Sequence, residues 1–326
     1  ADFLPHCVGL RRLRVAGVGV PSVAGYLAQW VHHLSPSITH LHLTNLTAEM
    51  GQQVADTLLE ESYPNLHILQ LVDCSLSTHS CLKIAALSSL TSLEMCDRGE
   101  HLAMTPEFGA LLGDLPRLRT LSLNGAAARP CLEGIQRLAS HTTSLHTLSL
   151  SAGFLDEAGS ESLAGIPTLR HFKVFSTGDP HCLCPVQDIV QGLARGTSST
   201  SLWSLYLLPQ LSTSLLVLAR TVCSGLPSLR LLHLNPAPIG PKHSEGILHL
   251  LQEDRSGGFL LPHLETLTLQ ASHVSTVAQL RAVADAGERH PSLRSLDLGF
   301  MMKVSASTFQ KVHPDDPLWQ GNPCSF

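Results

Sequence analysis

Charge is what this sequence has least of. Asp, Glu, Lys and Arg together make up 14% of its residues, and no long run of either sign occurs. The balance of 21 basic against 26 acidic residues leaves a formal charge of −5. Chains that attract a nucleic-acid backbone or an anionic bilayer concentrate basic residues, so composition points to neither partner. Long apolar runs are missing as well. A membrane span needs roughly 18 consecutive apolar residues, and none is present. The opening ADFLPHCVGL lacks the charged-then-apolar order of a secretory signal. The common signatures of catalysis, G-x-x-x-x-G-K-[ST], G-x-S-x-G and H-E-x-x-H, do not occur, and no isolated pair of acids stands out. The expectation is a non-enzymatic chain without a cofactor.

Nine cysteines, an odd number at irregular spacings, do not form a disulfide framework. Cys74, Cys96 and Cys131 fall in or beside expected core positions, where a reduced thiol packs as a small hydrophobe. That usage points to an intracellular setting, the cytoplasm first and an organelle second. The N-x-T at Asn45 and Thr47 lies inside a repeating unit and reads as structural.

What the sequence has in abundance is leucine at a fixed spacing. In LPRLRTLSLNG, residues 115–125, Leu118, Leu121 and Leu123 point to one side while Thr120, Ser122 and Asn124 point to the other, the period of a short β-strand. The same L-x-x-L-x-L pattern starts at Leu10, Ile38, Leu66, Leu90, Leu118, Leu145, Leu169, Leu202, Leu229, Leu264 and Leu293. A single such strand cannot bury its apolar side, so each needs a copy on either flank. Between strands, 47–62, 106–115, 130–140, 186–194, 214–225, 244–252 and 277–289 carry apolar residues three and four apart, as does 20–34, and read as helices. Thr47 and Thr105 supply capping hydroxyls at two helix entrances. A proline two residues before the first strand leucine, as at Pro64, Pro116, Pro167, Pro227 and Pro291, closes the preceding helix.

These eleven units resemble the leucine-rich-repeat superfamily, and their long helical segments are most similar to its ribonuclease-inhibitor-like class, over roughly residues 10 to 310. The fullest match to L-x-x-L-x-L-x-x-N/C-x-L is Leu66, Leu69, Leu71, Cys74 and Leu76, whereas Ala126, Gly153 and Thr177 fill the Asn/Cys position elsewhere. The resemblance implies an α/β solenoid, a horseshoe with parallel strands on its concave face and helices on its convex face. The solenoid is assigned to 1–312 and a C-terminal tail or cap, built around Trp319, to 313–326. The first repeat begins at Leu10 without a polar capping unit, which leads to the expectation of a further segment upstream.

Alternation places Arg12, Arg14, His40, His42, Gln70, Glu94, Thr120, Ser122, Thr147 and Ser149 on the concave face, followed by His171, Lys173, Phe175, Tyr206, Leu208 and His233 and then by Thr266, Thr268 and Asp297. His171, Lys173, Phe175, Tyr206, Leu208 and His233 combine aromatic, apolar and cationic groups, the mixture enriched where proteins bind proteins. They form the candidate protein-binding site. The alternative is that the two oversized connections, 175–201 and 235–263, fold back over Phe175 and Leu208. His181, Cys182 and Cys184 form H-C-x-C, but no second pair of ligands follows, so no metal is expected there. The early histidines His32, His33, His40 and His42 lie on different elements and are not expected to converge. The leading expectation is a protein-interaction module, the recognition arm of a larger assembly such as a ubiquitin-ligase substrate receptor of the F-box type. A structural subunit of an axoneme, an organellar ribosome or a respiratory complex is the first alternative, and the repeat domain of an intracellular immune sensor the second.

Overall fold

The computed structural model describes residues 9–16, 31, 37–60, 63–97, 102, 104–125, 131–176, 186–196, 201–208, 214–235, 243–253, 257–272 and 277–300. The HCxC segment, His32, His33, most of the first expected helix, much of both oversized connections and the tail after 300 lie outside them.

Each leucine pattern forms one strand: β1 (Arg12–Val15), β2 (His40–Thr44), β3 (Ile68–Val72), β4 (Ser92–Asp97), β5 (Thr120–Gly125), β6 (Thr147–Ser151), β7 (His171–Phe175), β8 (Ser204–Leu207), β9 (Leu231–Leu234), β10 (Thr266–Ser272) and β11 (Ser295–Phe300). They form one sheet in which every strand pairs only with its neighbours in sequence, and every pair is parallel. Leu41, Leu69, Leu93, Leu121, Leu148, Phe172, Leu205, Leu232 and Leu267 occupy one row of that register and are fully buried. The chain is a leucine-rich-repeat solenoid with one continuous apolar interior.

Behind the sheet run α1 (Ala48–Glu60), α2 (Thr78–Ala85), α3 (Pro106–Gly113), α4 (Leu132–His141), α5 (Glu157–Ala164), α6 (Val186–Arg195), α7 (Leu215–Gly225), α8 (His243–Leu250) and α9 (Val277–Arg289). Strands stack about 4.8 Å apart and helices about 8–10 Å apart, which bends the stack and puts the sheet on its inner side. Two helices, α2 and α5, are absent from the periodicity reading. Each has only eight residues, and the α5 segment EAGSESLA carries one large apolar side chain. Their starts are fixed by capping: Ser77 accepts from the Ser80 amide and Asp156 from the Gly159 amide.

Glycines let the helices approach closely. A Cβ on Gly109 in α3 would lie 2.0 Å from the carbonyl oxygen of Gly134 in α4, and one on Gly192 in α6 would lie 2.1 Å from that of Glu157 in α5. Backbone blocks both positions, so neighbouring helices touch there without a side chain between them. Hydroxyls tie the turns together in a repeated way. The residue before the first leucine donates to the carbonyl of the previous repeat's first leucine, as in Ser89 to Leu66 and Ser144 to Leu118, both 2.8 Å, and Thr168 to Leu145, 2.7 Å. These bonds occupy carbonyls that the strands leave open.

Among the described residues five cysteines are free thiols. Cys74 and Cys81 are buried, as is Cys223, and burial pushes each thiol up to about 12. The Cys74 thiol donates to the Val72 carbonyl, giving the Cys of the long consensus a role in the turn. Cys96 differs from the expectation of a core thiol: it pairs with Val72 and Asn124 in the row facing away from Leu93 and Met95, and is half-buried. Cys131 is half-buried at the start of α4. Asn45 is exposed at φ 58°, and Asp73, one repeat on, has φ 57°. Asn and Asp tolerate this left-handed turn, which accounts for the asparagine without glycosylation. Among the described residues no helix is long and apolar enough to cross a membrane.

Candidate protein-binding face

Parallel register converts alternation along each strand into rows that cross the sheet. The central row on the open face runs Arg14, His42, Gln70, Glu94, Ser122, Ser149, Lys173, Tyr206, His233, Thr268 and Asp297. It has three stretches of different chemistry.

In the first stretch the side chains bond to one another. His42 Nδ1 and Gln70 Oε1 are 2.9 Å apart, and Gln70 Nε2 donates to Glu94 Oε2 at 2.7 Å. His40 Nδ1 lies 2.7 Å from the Thr39 hydroxyl. Burial lowers the affinity of His40 for a proton, and the charge of Arg12 and His67 lowers it further. Its neutral form is therefore favoured. The second stretch, Ser122 and Ser149 with Thr120 and Thr147 beside them, offers only short hydroxyls.

The third stretch holds the six residues singled out from sequence, on the adjacent strands β7, β8 and β9. Lys173 pairs with Tyr206 and Tyr206 with His233 in the central row, while His171 pairs with Ser204 in the row before it. Phe175 pairs with Ser151 in the row beyond. Leu208 lies one residue past β8, where its amide donates to the Val174 carbonyl at 3.0 Å and its carbonyl accepts from Asn235 Nδ2 at 2.9 Å. The six residues thus share one patch three strands wide, about 10 Å across.

Within it the Lys173 ammonium sits 4.6 Å from the centre of the Phe175 ring, a cation–π contact. The rings of Tyr206 and His233 are neighbours, with centres 5.6 Å apart and planes tilted by 32°. Burial keeps His233 below the ordinary imidazole range; Asp297 opposes the shift and Lys173 adds to it. His171 is lowered by burial and by its neighbours His146 and Arg170. Ser204 Oγ and His233 Nε2 are buried with no hydrogen-bond partner among the described residues. Leaving such atoms unpaired costs about 1–3 kcal/mol each, so this patch is held at some expense to the fold.

Register also shows what alternation by itself left out. Ser204 and Leu231 belong to the face, in the row of His171. More important is Trp203, 42% exposed and one residue before β8. Arg170 and Arg230 lie over its ring at 5.5 and 4.9 Å from the centre, and His171 meets it edge-on at 6.5 Å. Its signal in the sequence was an aromatic at the second position of L-x-x-L, where polar residues stand in most other repeats. Among the described residues no group of three or more His, Cys, Asp or Glu side chains is arranged to hold a metal ion.

No protein-family model matches the chain, and no curated protein matches it. Among solved structures, an internalin from Listeria monocytogenes is similar to it at 14% identity, covering 88% of this chain and 80% of that one, with a TM-score of 0.38. The assignment of the fold rests on the ladder of eleven strands and the helices between them.

Proposed function

We propose that this chain is a non-enzymatic protein-interaction module that holds a partner protein on the open face of β7 to β9. The observation that carries the reading is the unbroken row Lys173, Tyr206 and His233, flanked by His171, Phe175 and Leu208. A cation held against the Phe175 ring, beside the neighbouring rings of Tyr206 and His233 on paired strands, has little conformational freedom to lose on binding. The helical repeats favour the ribonuclease-inhibitor-like class. The free thiols favour an intracellular setting, and the module is read as the recognition arm of a larger assembly, a ubiquitin-ligase substrate receptor being the leading form.

The test is affinity purification of full-length protein with mass spectrometry, repeated with Lys173→Ala combined with Tyr206→Ala. Partners captured by the native chain and lost by the variant support the reading. An unchanged partner set from a folded variant overturns it. Recovery of ligase components among the partners would support the receptor form, and stable co-sedimentation with one large particle would replace it with the structural-subunit form.

A further inference from the structure

Five arginines of this charge-poor chain stand in one line. The residue just before each strand belongs to an edge row in which each backbone amide donates to the carbonyl of the previous member, from Thr39 to Arg11 at 2.8 Å through to Arg294 to Glu265 at 2.8 Å. This row has eleven positions and holds five of the chain's 21 basic residues but only one of its 26 acidic ones. In its second half the arginines fall before alternate strands: Arg119 before β5, Arg170 before β7, Arg230 before β9 and Arg294 before β11. Arg119, Arg230 and Arg294 are exposed and Arg170 is half-exposed.

Alternate strands are about 9.6 Å apart, twice the strand spacing. A polyproline II segment advances about 9.3 Å for each turn of three residues. A segment of that kind, laid along the edge row, would present every third side chain to successive arginines. Trp203 stands between the middle two, with Arg170 and Arg230 close to its ring and 42% of its surface open. The open part of its indole suits a proline ring from the same segment.

We propose that this edge row is a second interaction surface, built to take an acidic, proline-rich extended segment of a partner protein with a carboxylate at every third position. The proposal stands apart from the reading of β7 to β9, since it uses none of Lys173, Tyr206 or His233. Glu265 is the built-in competitor: it lies 3.6 Å from Arg230 within the row and must give way to an incoming carboxylate. Arg170 is already tied to the carbonyls of Pro167 at 3.0 Å and of Leu169 and Ser201 at 3.3 Å, which fixes its guanidinium against Trp203. It is a positioning residue more than a free cation. A single-stranded nucleic acid is the poorer occupant, because such platforms stack successive bases on several large aromatics, and beside the imidazoles of His67 and His146 this row has only Trp203.

The experiment uses the full chain and a labelled peptide of Glu-Pro-Pro repeated four times, with an isomer whose glutamates are contiguous as the control, both read by fluorescence polarisation. The repeating peptide should bind several-fold more tightly than the isomer and weaken as salt is raised. Replacing Arg119, Arg230 and Arg294 together by Gln should weaken it by about tenfold or more, each exposed pair contributing about two- to fivefold. Glu265→Gln should tighten it about twofold, the same exposed-pair effect with the sign reversed, and it keeps the test alive should the triple variant misfold. Tyr206→Ala should leave it unchanged. Equal binding of the two peptides, no binding of the repeating one, or indifference to both Glu265→Gln and the arginine changes would overturn the proposal. Tighter binding of a single-stranded oligonucleotide through the same arginines would overturn it in favour of nucleic acid.

Discussion

Two stretches of the central row are built from similar amounts of polar material and use it in opposite ways. From β2 to β4, His42, Gln70 and Glu94 form a closed chain of hydrogen bonds. From β7 to β9, Lys173 faces a ring, Tyr206 faces a ring, and the Nε2 of His233 has no partner among the described residues. The first stretch spends its bonding capacity on itself and so stabilises the sheet. The second leaves half-buried rings and a cation that are not tied into such a chain. A polar row on a repeat surface therefore says little about binding until its internal hydrogen bonds are traced.

The sharpest way to break this contrast lies behind the sheet, in the helices that carry each stretch. Gly192, behind the aromatic patch, would drive a Cβ to 2.1 Å from the Glu157 carbonyl oxygen, whereas a Cβ on Gly51, behind the polar stretch, meets the movable Leu76 Cδ2 at 2.9 Å. Gly192→Ala should cost about 3 kcal/mol of stability by overpacking against backbone. Gly51→Ala should be close to neutral, since gained helix propensity of about 1 kcal/mol offsets a small side-chain shift. Urea denaturation of both variants decides it, and similar losses would show that the two helix layers are packed alike.

Next in size is the effect on binding. Tyr206→Ala should lower partner affinity by about 2 kcal/mol, roughly 30-fold, as loss of a central aromatic anchor does. Gln70→Ala should leave affinity within about twofold and instead cost about 1–2 kcal/mol of stability, because it cuts two side-chain hydrogen bonds. If Gln70→Ala abolished capture of the partner and Tyr206→Ala did not, the roles assigned to the two stretches would be reversed.

The smallest effect is one of pH, and here the stretches should behave alike. His40 on one side and His171 and His233 on the other all hold protons more weakly in the fold than the ordinary imidazole value of 6.5. The unfolded chain therefore takes up protons first as the pH falls through that value. Their contribution to stability is complete above it and is lost on acidification, until the lowered values of the folded state are passed. Thermal melts should show a midpoint that falls from pH 7.5 towards 5.5, with a shallower fall in His233→Asn. A midpoint that rose on acidification would contradict the burial assigned to these rings.

The repeats were legible because their cause is local: a leucine every second or third residue needs no knowledge of distant partners to mark a strand. All eleven strands, and the helices with an amphipathic stripe, come from that alone. The eight-residue helix at Glu157–Ala164 did not, since one leucine cannot display a period and its start depends on a single capping bond from Asp156. The six residues of the candidate site were legible as a set because strand register is strict. Trp203 was not, because its partners Arg170 and Arg230 are 33 and 27 residues away in the chain and only the stacking of the edge row brings them to its ring.

Composition reports a chain with little charge and a slight acidic excess, and it can report nothing else, because it averages over position. The sequence by itself determined the repeat, its apolar interior and which side chains alternate outward, since each follows from spacing along one strand. Tertiary structure alone decided that sparse arginines from strands far apart in sequence stand in one line, and that one polar row is closed while another is open. Both depend on distances across the sheet, which stacking fixes and no single repeat contains.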